Sequence, residues 1–287
     1  MNDIVNFEQS RLDKYIKRKH GKLIPQSLIE KALRNKDILV NGKKASASDK
    51  VTKEDSVSIH KSVIRLFENL EKAPSQTVGY SSYIDQFEKM IVYEDNDIII
   101  VNKPPGLAVQ LGSKTKIALD VIAKAYCSEL KLVHRIDKET SGLTILAKNI
   151  ETSRYMLFLF QHKMVFKKYT AIVCGEMLES NGMINSPLAK IKEKVIICEK
   201  GKEAVTKFRV LRKIKNGKTM IEATPITGRT HQIRVHMASI NCPILGDKKY
   251  KGPPHQFLAL HSSEITFTSR TKNTIHITAP LPDHMRL

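Results

Sequence analysis

The sequence predicts an α+β chain in two parts, a small basic module followed by a larger domain. Three observations predict it. Residues 10–60 run helix, helix, hairpin; tight-turn pairs such as Asn41-Gly42 and Asn216-Gly217 sit beside alternating apolar segments; and helical periodicity is confined to a few separate stretches, 117–130 and 150–163 among them.

With 287 residues, 41% hydrophobic and 27% charged, the chain is globular and long enough for a substantial core. Its net charge of +19, from 48 Lys and Arg against 29 Asp and Glu, predicts salt-sensitive attraction to a polyanion. Nucleic acid is the partner this favours, and an anionic membrane surface is the rival. No apolar run approaches the ~20 residues of a spanning helix. The opening Met1-Asn2-Asp3-Ile4 resembles neither a signal peptide nor an Arg-rich transit sequence, so no membrane partner and a cytoplasmic location are expected. Cys127, Cys174, Cys198 and Cys242 lie far apart with no CxxC pair, which argues against a zinc site and a disulfide framework.

In chain order, Arg11 to Ile16 opens a helix with Leu12, Tyr15 and Ile16 on one face. Pro25 starts a second, with Leu28, Ile29, Ala32 and Leu33 together. Ile38-Leu39-Val40 runs into Asn41-Gly42, and Val57-Ser58-Ile59 supplies a closing strand. Residues 10–44 hold eleven Lys and Arg against three acids. Residues 61–88, with few periodic signals, read as a linker, with a short helix around Val63 to Leu70 as an alternative, and 89–287 as the large domain. There, Ile91 to Glu94 and Ile98 to Val101 flank a turn at Asp95-Asn96-Asp97, and Lys103-Pro104-Pro105-Gly106 ends the second strand. In the helix over 150–163, Met156, Leu157 and Phe160 are expected to face inward. Phe166 to Val173 reads as a strand, as do Glu203 to Phe208 and Met220 to Ala223. Gly228 permits a sharp turn, after which Ile233, Met237 and Ile240 mark one helical face with Arg234 on another. His231 and His236 are five apart, not the four that sets two metal ligands side by side on a helix.

The segment from Leu132 to Lys148 carries the most chemistry. It places Asp137 between Arg135 and Lys138, with His134 close by, a setting that favours the charged carboxylate. On charge pattern alone, a structural Asp that caps a turn and pairs with Arg135 is the commoner account. A kinase catalytic loop fails, because Ile136 separates Arg135 from Asp137 and neither a Gly-rich loop nor D-F-G follows.

The residues HRIDKETSG followed by LTILAK resemble the HRLDxxTSGLLLLAK signature of the RluA family of pseudouridine synthases. DxxIIIVNKPPGLAV resembles that family's first motif, centred on Lys103-Pro104-Pro105-Gly106, which would shape the wall beneath the loop carrying Asp137, although a plain turn accounts for those residues equally well. GRTHQIRVH resembles its third, and Asn241 to Asp247 with Tyr250 and Gly252 continue that resemblance. The resemblance implies a mixed, largely antiparallel sheet with flanking helices. It also implies isomerisation of uridine to pseudouridine in RNA, a reaction needing no cofactor or metal. It makes Asp137 catalytic, Tyr169 the active-site tyrosine stacked on the base, and Arg234 the salt-bridge partner of Asp137. His134, Arg135, Thr140, Arg229 and His231 would bind substrate, with Arg135 filling the gap left by a flipped base. Taken alone, a strand tyrosine is more often packing.

The N-terminal order ending in VNGKK resembles the S4-type RNA-binding domain, with Arg11, Lys14, Lys22, Lys31, Arg34 and Lys36 as phosphate contacts. Any single lysine there is more often a solvated surface group. GKLIPQSLIEKALRN resembles the branch that acts on large-subunit ribosomal RNA, with a second ribosomal branch and transfer RNA as alternatives, and a monomer is expected. Two other classes compete. An idle RNA-binding assembly factor would keep the fold without turnover. A carboxylate-pair glycosidase would need a second acid, for which only Glu139 and Asp247 offer themselves.

Overall fold

The computed structural model describes residues 2–4, 10–20, 24, 26–72, 80–112, 115 and 117–287. The chain divides into two compact units, residues 1–82 with 111–116, and residues 83–110 with 117–287. Lys22 and Pro25, both singled out by the sequence, lie outside the described residues.

The first unit contains β1 (Asn2–Ile4), β2 (Ser10–Arg11), α1 (Leu12–His20), α2 (Gln26–Arg34), β3 (Ile38–Val40), β4 (Lys43–Lys44), β5 (Lys50–Val51), β6 (Ser56–Ile59) and α3 (Lys61–Lys72). Its main sheet has the order β1-β6-β3-β4, all antiparallel. Asn41 and Gly42 both have positive φ, 50° and 72°, as a two-residue hairpin turn requires. One core joins Leu12, Tyr15 and Ile16 of α1, Ile29 and Leu33 of α2, and Val63 and Phe67 of α3. That last pair lies in the short helix offered within the 61–88 linker and makes residues 61–72 part of the first unit's core instead of a connection. Residues 61–72 form a helix, and Val63 and Phe67 are spaced to sink into this core. The basic residues Arg11, Lys14, Lys31, Arg34 and Lys36 are exposed, on faces opposite the buried stripe, and Arg11 pairs with Asp13 at 2.7 Å.

After α4 (Tyr80–Glu88), the second unit is built on a ten-stranded mixed sheet. Its elements are β7 (Ile91–Glu94), β8 (Ile98–Lys103), α5 (Leu119–Tyr126), β9 (Lys131–Leu132), β10 (Ser141–Ala147), α6 (Ile150–Gln161), β11 (Phe166–Cys174), β12 (Asn181–Asn185), the hairpin β13 (Leu188–Ile191) and β14 (Lys194–Ile197), β15 (Val205–Ile214), β16 (Lys218–Pro225), α7 (Gln232–Ser239), β17 (Leu260–Thr268) and β18 (Thr274–Thr278). The strand order is β12-β15-β16-β11-β17-β10-β8-β7, with β18 beside β17 and β9 beside β10. The β10–β17 pair is parallel and the other pairs are antiparallel. This is the mixed, largely antiparallel sheet expected.

The period of two in β8 sorts its residues. Ile98 and Ile100 join the α6 side with Leu143, Ile145, Met156 and Leu159, while Ile99 and Val101 join the α5 side with Leu119 and Ile122. On α6, Met156 is buried as expected, but Leu157 is 50% exposed. One helical step of about 100° turns it off the core stripe. A similar correction applies to α7. It ends at Ser239, so Ile240 falls past the helix and is partly exposed, while Val235 and His236 are buried along with Ile233 and Met237.

Candidate active site

Asp137 sits in the loop 133–140 that feeds β10. Val133 and Ile136 are buried and hold the loop down, and the Thr140 N–H donates to the Asp137 carbonyl at 3.1 Å. The Lys138 carbonyl accepts from the Gly106 N–H at 2.9 Å and from the Lys103 ammonium at 3.1 Å. Lys103 is fully buried and also donates to the carbonyls of Pro104 and Leu107, each at 2.8 Å. Burial pulls its ammonium down to about 7, and the charges of Glu139 and Asp137 pull it back up. Three carbonyls match its three protons, so the Lys-Pro-Pro-Gly turn is tied to the underside of the loop. Gly142 then enters β10 with φ of +109°, where a Cβ would stand 2.3 Å from the Ser262 carbonyl oxygen. Only glycine lets β10 and β17 close at this point.

His134 supports the loop from its other end. Its Nε2 accepts the Ile145 N–H at 2.9 Å, and its ring stacks on Phe160 at 4.5 Å. Burial, and then the charge of Lys167, pulls the imidazole down to about 3, so the ring is neutral and serves as an acceptor. Ser141 Oγ and His261 Nδ1 are 2.9 Å apart, a buried link between the first residues of the parallel pair.

Tyr169 lies mid-strand in β11. Between Lys168 and Tyr169 the pairing with β17 slips, so Lys168 faces Glu264 and Tyr169 faces Ser262, leaving Ser263 as an extra residue. Such a bulge re-aims the side chains beside it. Burial pushes the Tyr169 phenol up to about 12, and the charge of Asp137 adds to the rise. The ring therefore carries a protonated hydroxyl at neutral pH.

α7 is fixed by buried polar contacts. Thr227 accepts the Val205 N–H at 2.9 Å and donates to Gln232 Oε1 at 2.6 Å; Gln232 Nε2 donates to the Val205 carbonyl at 2.9 Å. His236 bridges Thr206 and the Ser186 carbonyl. The left-handed residue at the helix entry is His231, φ 55°, rather than Gly228. Arg234 emerges from this helix 6% exposed. Its Nη1 reaches Asp137 Oδ2 at 3.4 Å, but its Nε and Nη2 both go to Asp247, each at 2.8 Å. His231 Nε2 stands 3.8 Å from the same Asp137 oxygen, and burial lowers that imidazole against the pull of Asp137.

A cleft of about 350 Å³ opens over these groups. That lies near the lower end of the roughly 300–1,000 Å³ of small-molecule sites. All eight large-domain residues singled out by the sequence line it: His134, Arg135, Asp137, Thr140, Tyr169, Arg229, His231 and Arg234. Arg135 is exposed at the cleft, and Arg229 is tied by Nε to the Glu203 carbonyl at 2.9 Å. The basic residues of the N-terminal module belong to the other unit. Lys167 carried no signal as a site residue, whereas Lys103 lies in the motif expected to shape the wall beneath the loop, where its ammonium is found. Asp247 and Tyr250 lie in the stretch that continues the third-motif resemblance, but no periodicity in that loop gave either side chain a role. Among the described residues no group of three His, Cys, Asp or Glu side chains is placed to hold a metal ion.

The fold and site define an enzyme class in which a sheet carries one arginine-held carboxylate and a half-buried tyrosine lining the same cleft. Residues 97–239 match the family described as RNA pseudouridylate synthase. The ribosomal large subunit pseudouridine synthase C of Rickettsia bellii is 38% identical over 293 residues, 96% of this chain and 95% of that one. Its counterpart from Vibrio cholerae is 34% identical over 96% of this chain and 90% of its own length. The solved structure of human RNA pseudouridylate synthase domain containing 4 superposes with a TM-score of 0.61 at 25% identity, covering 72% of this chain and 94% of that one. The chain belongs to the RNA pseudouridylate synthase family.

Proposed function

We propose that this enzyme isomerises particular uridines of large-subunit ribosomal RNA to pseudouridine, with Asp137 as the catalytic carboxylate. The observation that carries the reading is that Asp137, held by a single Nη1 of Arg234, lines the same nucleoside-sized cleft as Tyr169. The relatives named for the ribosomal large subunit support the substrate. The reaction breaks the N1–C1′ bond, turns the uracil and joins C5 to C1′, so atoms are conserved. Asp137 acts on the ribose, as nucleophile at carbon or as base toward a ribose proton. Tyr169 lies against the uracil face, near the C5 proton that must leave. The target base has to leave its stack to enter the cleft, at a few kcal/mol, and Arg135 at the cleft opening is placed to fill the gap.

We read the first unit as an S4-type RNA-binding module covering residues 10–60 and extended by α3. Lys14, Lys31, Arg34 and Lys36 are its phosphate contacts, supported by their exposure beside the buried faces of α1 and α2. Lys22 belongs to the same set by sequence. The protein acts as a monomer in the cytoplasm.

The test is direct. Wild type and Asp137→Asn are each incubated with unmodified large-subunit RNA and with bulk transfer RNA, and every pseudouridine is mapped. Pseudouridine in ribosomal RNA from wild type alone supports reaction, substrate and residue together. Pseudouridine only in transfer RNA keeps the enzyme and overturns the substrate. Turnover by Asp137→Asn near wild type removes Asp137 from the mechanism, and none from wild type points either to a partly assembled ribosome as the substrate or to the idle RNA binder.

A further inference from the structure

Arg234 has two carboxylates to choose from, and it gives them unequal shares. Asp247 is buried and receives the guanidinium edge, Nε on Oδ2 and Nη2 on Oδ1. Its Oδ1 also accepts the backbone N–H of Lys249 at 3.0 Å and of Tyr250 at 3.2 Å. The turn that carries it is built for close approach. Gly246 has φ +80° with a Cβ position 2.2 Å from the Phe257 carbonyl oxygen, and a Cβ on Gly252 would meet the Ile244 carbonyl oxygen. The same turn supplies Tyr250, whose ring lies 5.2 Å from the guanidinium carbon and whose hydroxyl is 2.8 Å from His231 Nδ1. That hydroxyl also takes the Val195 N–H at 3.3 Å.

We infer that Asp247 is a positioning residue: by occupying the fork of Arg234 it presents a single Nη1 to Asp137 and leaves the catalytic carboxylate unclamped. This rests on the reading of Asp137 given above. A guanidinium free of Asp247 can turn two N–H groups onto Asp137 in the parallel geometry that arginine and carboxylate favour. A carboxylate so clamped has its lone pairs engaged and is a poorer nucleophile or base. Asp247 thus decides both where the guanidinium stands and how much of it Asp137 feels. Tyr250 adds a second brace from the same turn. Its bond to His231 Nδ1 directs Nε2 of that ring toward Asp137 Oδ2.

Asp247→Asn keeps the shape and breaks the fork. Whichever way its amide is turned, an NH₂ group faces either the Arg234 Nε–H, or Nη2–H together with two backbone N–H groups. The expected result is a kcat for pseudouridine formation lower by roughly 10²-fold, the scale set by a misplacement of about 1 Å. KM for the RNA should stay within about threefold, because no RNA contact is removed. The double variant with Arg234→Lys should be no slower than Arg234→Lys alone, since one change already contains the other. A kcat within twofold of wild type, or a double variant that loses the product of the two single losses, overturns the inference. Should Asp247→Asn fail to fold, Asp247→Glu retains the charge but displaces the fork. It should then be at least about tenfold slower with the fold intact, and wild-type turnover by it overturns the inference. A crystal structure of the folded variant decides independently of activity: Arg234 turned onto Asp137 supports the inference, and an unmoved guanidinium overturns it. Absence of wild-type turnover would instead count against the functional reading alone.

Discussion

Arg234 is joined more closely to Asp247 than to Asp137, by two bonds of 2.8 Å against one of 3.4 Å. The sequence points to Arg234 and Asp137 as partners, and they do meet. The strong fork, however, closes on an acid that the sequence leaves as a bystander. A buried arginine with one carboxylate saturated and a second grazed has a fixed orientation, because turning it costs two charge-assisted bonds. The charge beside Asp137 is therefore a fixture of α7 and the 246–250 turn, and it need not be assembled when RNA arrives.

Tyr169 offers a ring and a hydroxyl, and the two can be separated. Burial pushes its phenol up to about 12, so it stays protonated across the working range. Tyr169→Phe keeps the ring and is expected to keep RNA affinity within about threefold. Loss of a positioned proton-transfer group lowers rates by roughly 10²–10⁴-fold, and single-turnover kinetics should show a fall of that order. A Phe variant at wild-type rate would assign Tyr169 to stacking alone.

Acid should loosen the second unit through two buried imidazoles. His134 is pulled down to about 3 and His261 to about 4, against about 6.5 in an unfolded chain. Between those values the unfolded state binds the extra protons. Stability is therefore full above pH 6.5 and falls as pH drops toward 4, by roughly 3 kcal/mol for each ring. Urea unfolding followed by far-UV circular dichroism (the chain has no tryptophan) should show this between pH 7 and 4.5. His134→Gln, which can still accept the Ile145 N–H, should lose less stability over the same range. Parallel curves for the two proteins would remove His134 from the acid response.

Much of the fold was legible because local rules and tertiary packing agree. Asn41-Gly42 and Asn216-Gly217 sit in left-handed turns, with φ of 50°, 72°, 61° and 65°, as their residue types demand. Asp137, Tyr169 and Arg234 come from a loop, a strand and a helix far apart in sequence, and the motif resemblance, not periodicity, linked them. What stayed hidden depends on contacts that no period encodes. Lys103 was placed by its motif beneath the loop, but the three carbonyls that its ammonium meets come from residues no local pattern brings together. Asp247 needs the Gly246 and Gly252 backbones folded tightly about it before it can meet Arg234. Helix α3 was legible only as a short helix around Val63 to Leu70, and its place in the core was not, because Val63 and Phe67 lie among charged neighbours in a stretch that otherwise looks like a connection.

Lys103 should control the loop carrying Asp137 and a pH response together. Replacing it with Met removes the donors to Pro104, Leu107 and Lys138, and a buried carbonyl without a partner costs about 1–3 kcal/mol. The Lys138 carbonyl is then held by the Gly106 N–H alone, so kcat is expected to fall by about tenfold or more, the range of small misplacements. The wild-type ammonium is pulled down to about 7 from about 10.5 unfolded, so the unfolded chain binds more protons between those values. Wild-type stability should accordingly rise from pH 7 toward 10, by at most about 1.4 kcal/mol per unit. Lys103→Met should lack that rise. An identical rise in both proteins would assign it to other groups.

Gly142 is the residue that lets the loop carrying Asp137 enter a parallel strand pair. Its φ of +109° is accessible to few other residues, and the space its Cβ would need is filled by the Ser262 backbone, with atoms at 2.3, 2.6 and 2.8 Å. Gly142→Ala is expected to cost roughly 1–3 kcal/mol from the dihedral alone. The collision adds to that, because the Ser262 backbone lies in a central strand that cannot step aside without breaking the pairing of Ser141 with His261 and of Gly142 with Ser262. The same displacement moves the loop holding Asp137 and shifts Ser262 opposite Tyr169, so activity should fall more than stability does. The measurement is kcat and the urea midpoint of Gly142→Ala beside Gly217→Ala. The latter also has positive φ, +65°, but nothing within 4 Å of its Cβ position. The hairpin variant should lose stability with kcat unchanged, and the Gly142 variant should lose both. Equal effects at the two glycines would show that the backbone angle matters and the approach of β10 to β17 does not.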